Sequence, residues 1–125
     1  MAQERMKQPA GRLTETMIAA VVGAIAECVA TSAGGLAVAA AAIEPTHMHL
    51  LIPYSGRDID ITGKWLADQT TKAVHRRTSH AGPIWGKGKW CSYVFESDHW
   101  ENAREYIEGH NVRHGRSRRP YSFLV

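Results

Sequence analysis

Phosphate-loop and membrane signals are both missing from this 125-residue sequence. Without a GxxxxGKS/T motif, chemistry driven by nucleotide hydrolysis has no cradle for its phosphates. The apolar run at residues 17–30 carries Glu27 and is too short to cross a bilayer. Glu4 and Glu15 dilute any basic leader ahead of it, which argues against a secretory signal and against a membrane partner. Cysteine is scarce. Cys28 and Cys91 follow no metal-ligand spacing, and such a pair fits a reducing, cytoplasmic setting. There is no internal repeat and no linker, so the length predicts one domain able to bury a core.

Charge is present but uneven. Residues 1–62 carry four Lys/Arg against six Asp/Glu, and residues 63–125 carry eleven against six. The basic half suits a polyanionic partner. Met17, Ile18, Val21, Val22, Ile25 and Val29 recur at helical spacing behind Thr14, a residue type that caps helices, and Gly34–Gly35 provide a stop. LAVAAAAI (36–43) reads as a buried strand, and HMHLLIP after Pro45 as a second strand antiparallel to it. A second helix is predicted from about Thr62 to Thr78, with Trp65, Leu66, Ala73 and Val74 inward. Residues 84–97 read as a further strand, with Gly86 and Gly88 marking a bulge or a close approach. Ser97 or Asp98 then caps a third helix through Trp100, Ala103, Tyr106 and Ile107, whose last turn Gly109 weakens. That order builds an antiparallel sheet with helices packed on it, an α+β fold of the ferredoxin-like (RRM-like) kind.

One stretch carries chemistry. In THMHLLI, strand alternation sends His47, His49 and Leu51 to one face and Met48, Leu50 and Ile52 to the other. The second set is apolar and suits a core. The first offers two imidazoles to a single metal ion. On the third helix Tyr106 and His110 are four residues apart, hence on one face. If that helix lies across the histidines, it adds a third ligand and a phenol, with Asn111 as the substitute ligand should Gly109 displace the helix end.

THMHLLI followed by YIEGH resembles the HUH-type single-tyrosine transposases, which include the REP-associated tyrosine transposases. The resemblance covers roughly residues 13–112 and includes the tryptophan-bearing strand GPIWGKGKWCSYVFES. It implies that His47 and His49 bind Mg²⁺ or Mn²⁺, that His110 completes the metal site, and that Tyr106 is the nucleophile. It implies a substrate of single-stranded or hairpin DNA, cut through a 5′-phosphotyrosine, and a protein that acts as a homodimer or as a monomer. Lys72 falls where the family places a basic residue, and Arg76 and Arg77 extend it as phosphate contacts. Trp85 and Trp90 are candidates for stacking on unpaired bases. Arg116, Arg118 and Arg119 could reach phosphates from a basic C-terminal tail, residues 113–125.

The family's first strand runs through the middle of its sheet. Residues 1–12, MAQERMKQPAGR, show neither alternation nor an apolar run, so the sequence predicts a flexible N-terminal arm and a sheet lacking that strand. Two other readings use the same residues. A catalytically decayed or domesticated relative would bind hairpin DNA and form no covalent adduct. A metal-dependent phosphohydrolase would use the histidines with Glu44, and its cleavage would survive Tyr106→Phe.

Overall fold

The computed structural model describes residues 2–7, 12–31, 36–53, 56, 58–85, 90–93 and 97–125, with the backbone alone for 2–7, 90–93 and 97. In chain order the elements are β1 (Ala2–Lys7), α1 (Glu15–Thr31), β2 (Ala40–Ile43), β3 (His47–Ile52), α2 (Ile59–Arg77), β4 (Trp90–Tyr93) and α3 (Ser97–Arg113). The sheet order is β2-β3-β1-β4, and every pairing is antiparallel. This is the ferredoxin-like α+β arrangement, with a third helix added.

The largest departure from the sequence reading is β1. Residues 2–7 are the central strand, pairing with β3 from Ala2↔Ile52 to Lys7↔His47 and with β4 from Ala2↔Tyr93 to Arg5↔Trp90. The first strand is therefore present, and residues 2–7 are no loose arm. AQERMK lacks the apolar or β-branched content of a typical strand; neighbours on both sides supply its backbone partners, and that context overrides local preference.

The helix starts follow cap chemistry. Thr14 Oγ1 accepts from the Met17 amide at 3.2 Å, as its position suggested. The second helix begins earlier than Thr62, because Asp58 caps it by accepting from the Asp60 amide at 2.8 Å. Gly109 does not end α3, which continues to Arg113. Of the strand expected over 36–43, β2 takes Ala40–Ile43, which pairs with β3, and of the strand expected over 84–97 the described part is β4 at 90–93. The expected stop at Gly34–Gly35 and the glycines at 86 and 88 lie outside the described residues.

Strand alternation divides the interior into two layers. Ala41, Ile43, Met48, Leu50 and Ile52 cluster with Met17, Val21 and Ile25 of α1 and Leu66 and Val74 of α2. On the other face Ala40, Ala42 and Leu51 pack against Ile107 of α3, with Trp100 and Ala103 at the edge. Helix α3 therefore covers the face to which His47 and His49 belong.

Residues 113–125 are not a free tail either. The Ile43 amide donates to Tyr121 Oη at 3.2 Å, Phe123 is buried, and the Val125 amide donates to the Val38 carbonyl at 3.0 Å. Arg116 pairs with Glu44, while Arg118 and Arg119 share the buried carboxylate of Glu108. Asn111 joins this segment to the sheet. It is fully buried, donates from Nδ2 to the Ala41 carbonyl at 2.8 Å and the Arg118 carbonyl at 3.2 Å, and accepts from Arg116 Nε at 2.9 Å. Asn111→Ala should lower stability by about 3 kcal/mol, since several buried partners lose their hydrogen bonds at once. Urea unfolding in EDTA checks this; a midpoint unchanged from wild type would refute it.

Candidate metal centre beside an exposed tyrosine

The geometry begins with the tight turn between β2 and β3. The Glu44 amide donates to the His47 carbonyl at 2.8 Å, so the histidine strand starts immediately beyond a closed turn. Alternation then sets His47 and His49 side by side, with ring centroids 4.8 Å apart. From α3, His110 reaches both, at 5.8 Å from the His47 ring and 5.1 Å from that of His49. One ligand nitrogen from each of the three lies within 4.8 Å of the others. Tyr106, one helical turn before His110, has its ring 4.8 Å from His110 and 5.7 Å from His49. It is 52 % exposed, so its side chain lies at the surface beside the histidines.

The donor set fits a divalent cation. Both ring nitrogens of His110 are shielded from solvent and, among the described residues, have no hydrogen-bond partner. A buried polar atom in that condition costs stability, and a metal–nitrogen bond would remove the cost. Burial, aided by the positive charge of Arg113, lowers the His110 pKa from the usual histidine value. That shift favours neutral imidazole, the form whose lone pair can coordinate. Thr46 Oγ1 lies 3.0 Å from His47 Nδ1, fixing that ring from the side. Three imidazoles suit Mn²⁺ better than Mg²⁺, which prefers oxygen.

Comparison with solved structures decides the fold type. A REP-associated tyrosine transposase bound to a REP hairpin superimposes with a TM-score of 0.70 and 19 % identity, covering 91 % of this chain and 67 % of that one. A proposed transposase from Deinococcus radiodurans gives a TM-score of 0.51, also at 19 % identity, covering 88 % of this chain and 90 % of that one. The chain has the tyrosine-transposase fold. No family model matches the sequence, and no curated protein matches it.

Within this transposase fold the expected site residues separate into two groups. His47, His49, His110 and Tyr106 meet; Asn111, the alternative ligand, turns away into the sheet edge. The one-residue step from His110 rotates it by about 100° around the helix, which is the reason. Lys72, Arg76 and Arg77 lie on α2, whose inner face packs on the opposite side of the sheet from α3. Lys72 pairs with Asp68 at 3.1 Å on the surface, and Arg76 is exposed. The guanidinium of Arg77 lies where a side chain on Gly23 of α1 would begin, 2.8 Å from that point.

Trp85 has a structural task. Its Nε1 donates to the buried Thr70 hydroxyl at 2.9 Å, and its ring packs on the core. Trp90 belongs to β4 opposite Arg5, and its side chain lies outside the described residues. Arg116, Arg118 and Arg119 have their charges matched by Glu44 and Glu108, so they do not lie in the free tail that the sequence suggested.

The sequence reading missed His114. It extends the series Tyr106, His110 by four more residues, and its ring stacks on His110 with centroids 6.0 Å apart. That continued spacing was the available signal. Among the described tyrosines, Tyr121 offers a poor alternative nucleophile: burial raises its pKa, and its oxygen accepts from the Ile43 amide. Among the described residues no helix is long and apolar enough to cross a membrane.

Proposed function

We propose that this protein is a transposase of the HUH single-tyrosine kind, cutting and rejoining single-stranded hairpin DNA by transesterification. The observation that carries the reading is the convergence of His47, His49 and His110 beside the exposed phenol of Tyr106. The structural likeness to a transposase bound to a REP hairpin supports the choice of a hairpin substrate.

In the cutting step Tyr106 Oη attacks the scissile phosphorus. The Oη–P bond forms, the bond from phosphorus to the 3′ oxygen breaks, and the phenolic proton is lost as the leaving 3′ oxygen gains one. The product is a 5′-phosphotyrosine and a free 3′ hydroxyl. Attack by another 3′ hydroxyl reverses the chemistry and rejoins DNA, so no nucleotide hydrolysis is needed.

His47, His49 and His110 would hold Mn²⁺ or Mg²⁺, with His47 coordinating through Nε2 because Thr46 engages Nδ1. When bound, the ion supplies Lewis-acid polarisation of a non-bridging phosphate oxygen. Helix α3 supplies geometry: the four-residue spacing holds Tyr106 and His110 on one face, at a fixed offset from the histidine strand. Incubation with hairpin single-stranded DNA and Mn²⁺ should yield a denaturant-resistant protein–DNA species with a free 3′ hydroxyl on the released strand. Cleavage without any covalent species would instead favour a phosphohydrolase.

Lys72, Arg76 and Arg77 on α2 would hold DNA that extends away from the reactive face. Neutralising all three should flatten the log–log salt dependence of binding by about 0.7 per lost phosphate contact on a single strand. A slope equal to that of wild type would place the DNA path elsewhere.

A further inference from the structure

The alanine face of the sheet leaves a problem that the metal centre must solve. Helix α3 packs on Ala40, Ala42 and Leu51. Alanines present a shallow surface with few ridges to interlock, so apolar packing alone fixes the axial position and rotation of the helix weakly. His110 must nevertheless meet two histidines on a strand, and small displacements at such sites are costly. Directional bonds are needed to set the register.

We infer that Glu44, Arg116 and Asn111 form a positioning network that locks α3 onto the histidine strand and so sets the place of the third metal ligand. The inference rests on the metal-site reading above and adds three residues to it. The links run unbroken from strand to helix. The Glu44 amide donates to the His47 carbonyl at 2.8 Å, tying Glu44 to the start of the histidine strand. Its carboxylate, in a residue 2 % exposed, accepts from Arg116 Nη2. Arg116 donates from Nε to Asn111 Oδ1 at 2.9 Å and from its backbone amide to the Asn111 carbonyl at 2.8 Å. Asn111 follows His110 directly, and its Nδ2 donates to the Ala41 carbonyl of β2 at 2.8 Å. His114 adds a side link, with Nδ1 at 2.8 Å from the His110 carbonyl and 3.6 Å from Glu44 Oε1.

Glu44, His110 and His114 also bring ligand atoms within 4.8 Å of one another, which invites reading them as a second metal site. The arginine argues against that. The only carboxylate of the trio already neutralises Arg116, so a cation placed there would face an uncompensated guanidinium. Positioning explains the same contacts without that conflict.

The test measures Mn²⁺ affinity of the full chain by the loss of the free-ion EPR signal, with hairpin affinity in EDTA measured alongside. Glu44→Gln and Arg116→Gln should each weaken Mn²⁺ binding about tenfold, the usual size for residues that orient a ligand. Both should leave hairpin affinity within about twofold, because phosphate contacts dominate it. Arg116→Lys, a milder change that keeps a charge for Glu44, should fall between wild type and Arg116→Gln. Glu108→Gln is the control: it removes another buried carboxylate that ties the same C-terminal segment to α3, and its partner Arg119 reaches the sheet at Ala39, away from the turn that holds His47. It should leave Mn²⁺ affinity unchanged. The inference is overturned if the Glu44 and Arg116 variants bind Mn²⁺ like wild type, or if Glu108→Gln weakens binding as much as they do. It is also overturned if a His47→Ala/His49→Ala protein still binds one Mn²⁺ that Glu44→Gln then abolishes, since the trio would itself be a metal site. Failure of the underlying metal-site reading looks different: wild type itself would bind no Mn²⁺.

Discussion

Replacing either His47 or His49 with alanine is expected to reduce cleavage of hairpin single-stranded DNA by about 10²-fold or more. A bound divalent ion contributes several kcal/mol to a phosphoryl-transfer transition state, and each 1.4 kcal/mol or so is a factor of ten in rate. The same variants should bind the hairpin almost as wild type does, because affinity comes from phosphate contacts. His110→Ala should lose activity in the same direction, and His110→Gln should keep a larger share, since an amide oxygen can still donate to the ion. Cleavage rates at saturating DNA, measured beside binding isotherms, separate the two effects. If His49→Ala lost binding and cleavage together, the imidazoles would be part of the DNA-binding surface or of the core.

Tyr106→Phe is expected to have the larger effect. Removing one oxygen deletes the nucleophile while keeping the ring that lies 5.7 Å from His49 and 4.8 Å from His110. Metal binding and hairpin binding should survive, and the denaturant-resistant adduct should fall below detection. Because Tyr106 is 52 % exposed, the change should cost little stability. Tyr121→Phe should still form the adduct, since that phenol is buried against the backbone of Ile43. An adduct that persisted in Tyr106→Phe would move the nucleophile to another residue.

The parts of this site that were legible in the sequence are those set by short periods. Alternation over HMHLLI put His47 and His49 on one face, and the i, i+4 spacing put Tyr106 with His110; the two core layers follow the same parities. Thr14 was legible as a cap because its hydrogen bond reaches only three residues along the chain. What the pattern did not reveal is what depends on distant partners. Residues 2–7 become the central strand because β3 and β4 both offer them backbone groups, although their own side chains carry no strand pattern. Arg116 looked like part of a solvated tail because its carboxylate, Glu44, is 72 positions away in sequence. Asn111 looked like a stand-in ligand, yet helical rotation sends it to Ala41 and leaves His110 to face the histidine strand.

The central claim is that Tyr106 becomes covalently joined to DNA. The most direct measurement is to trap the adduct formed with hairpin DNA and Mn²⁺, digest it with trypsin and nuclease, and sequence the modified peptide by mass spectrometry. Arg104 and Arg113 bracket residues 105–113, which hold Tyr106 as their sole tyrosine. The account predicts a nucleotide attached through its 5′-phosphate to Tyr106 in that peptide. A nucleotide on any other residue, or strand cleavage with residues 105–113 unmodified, would contradict it.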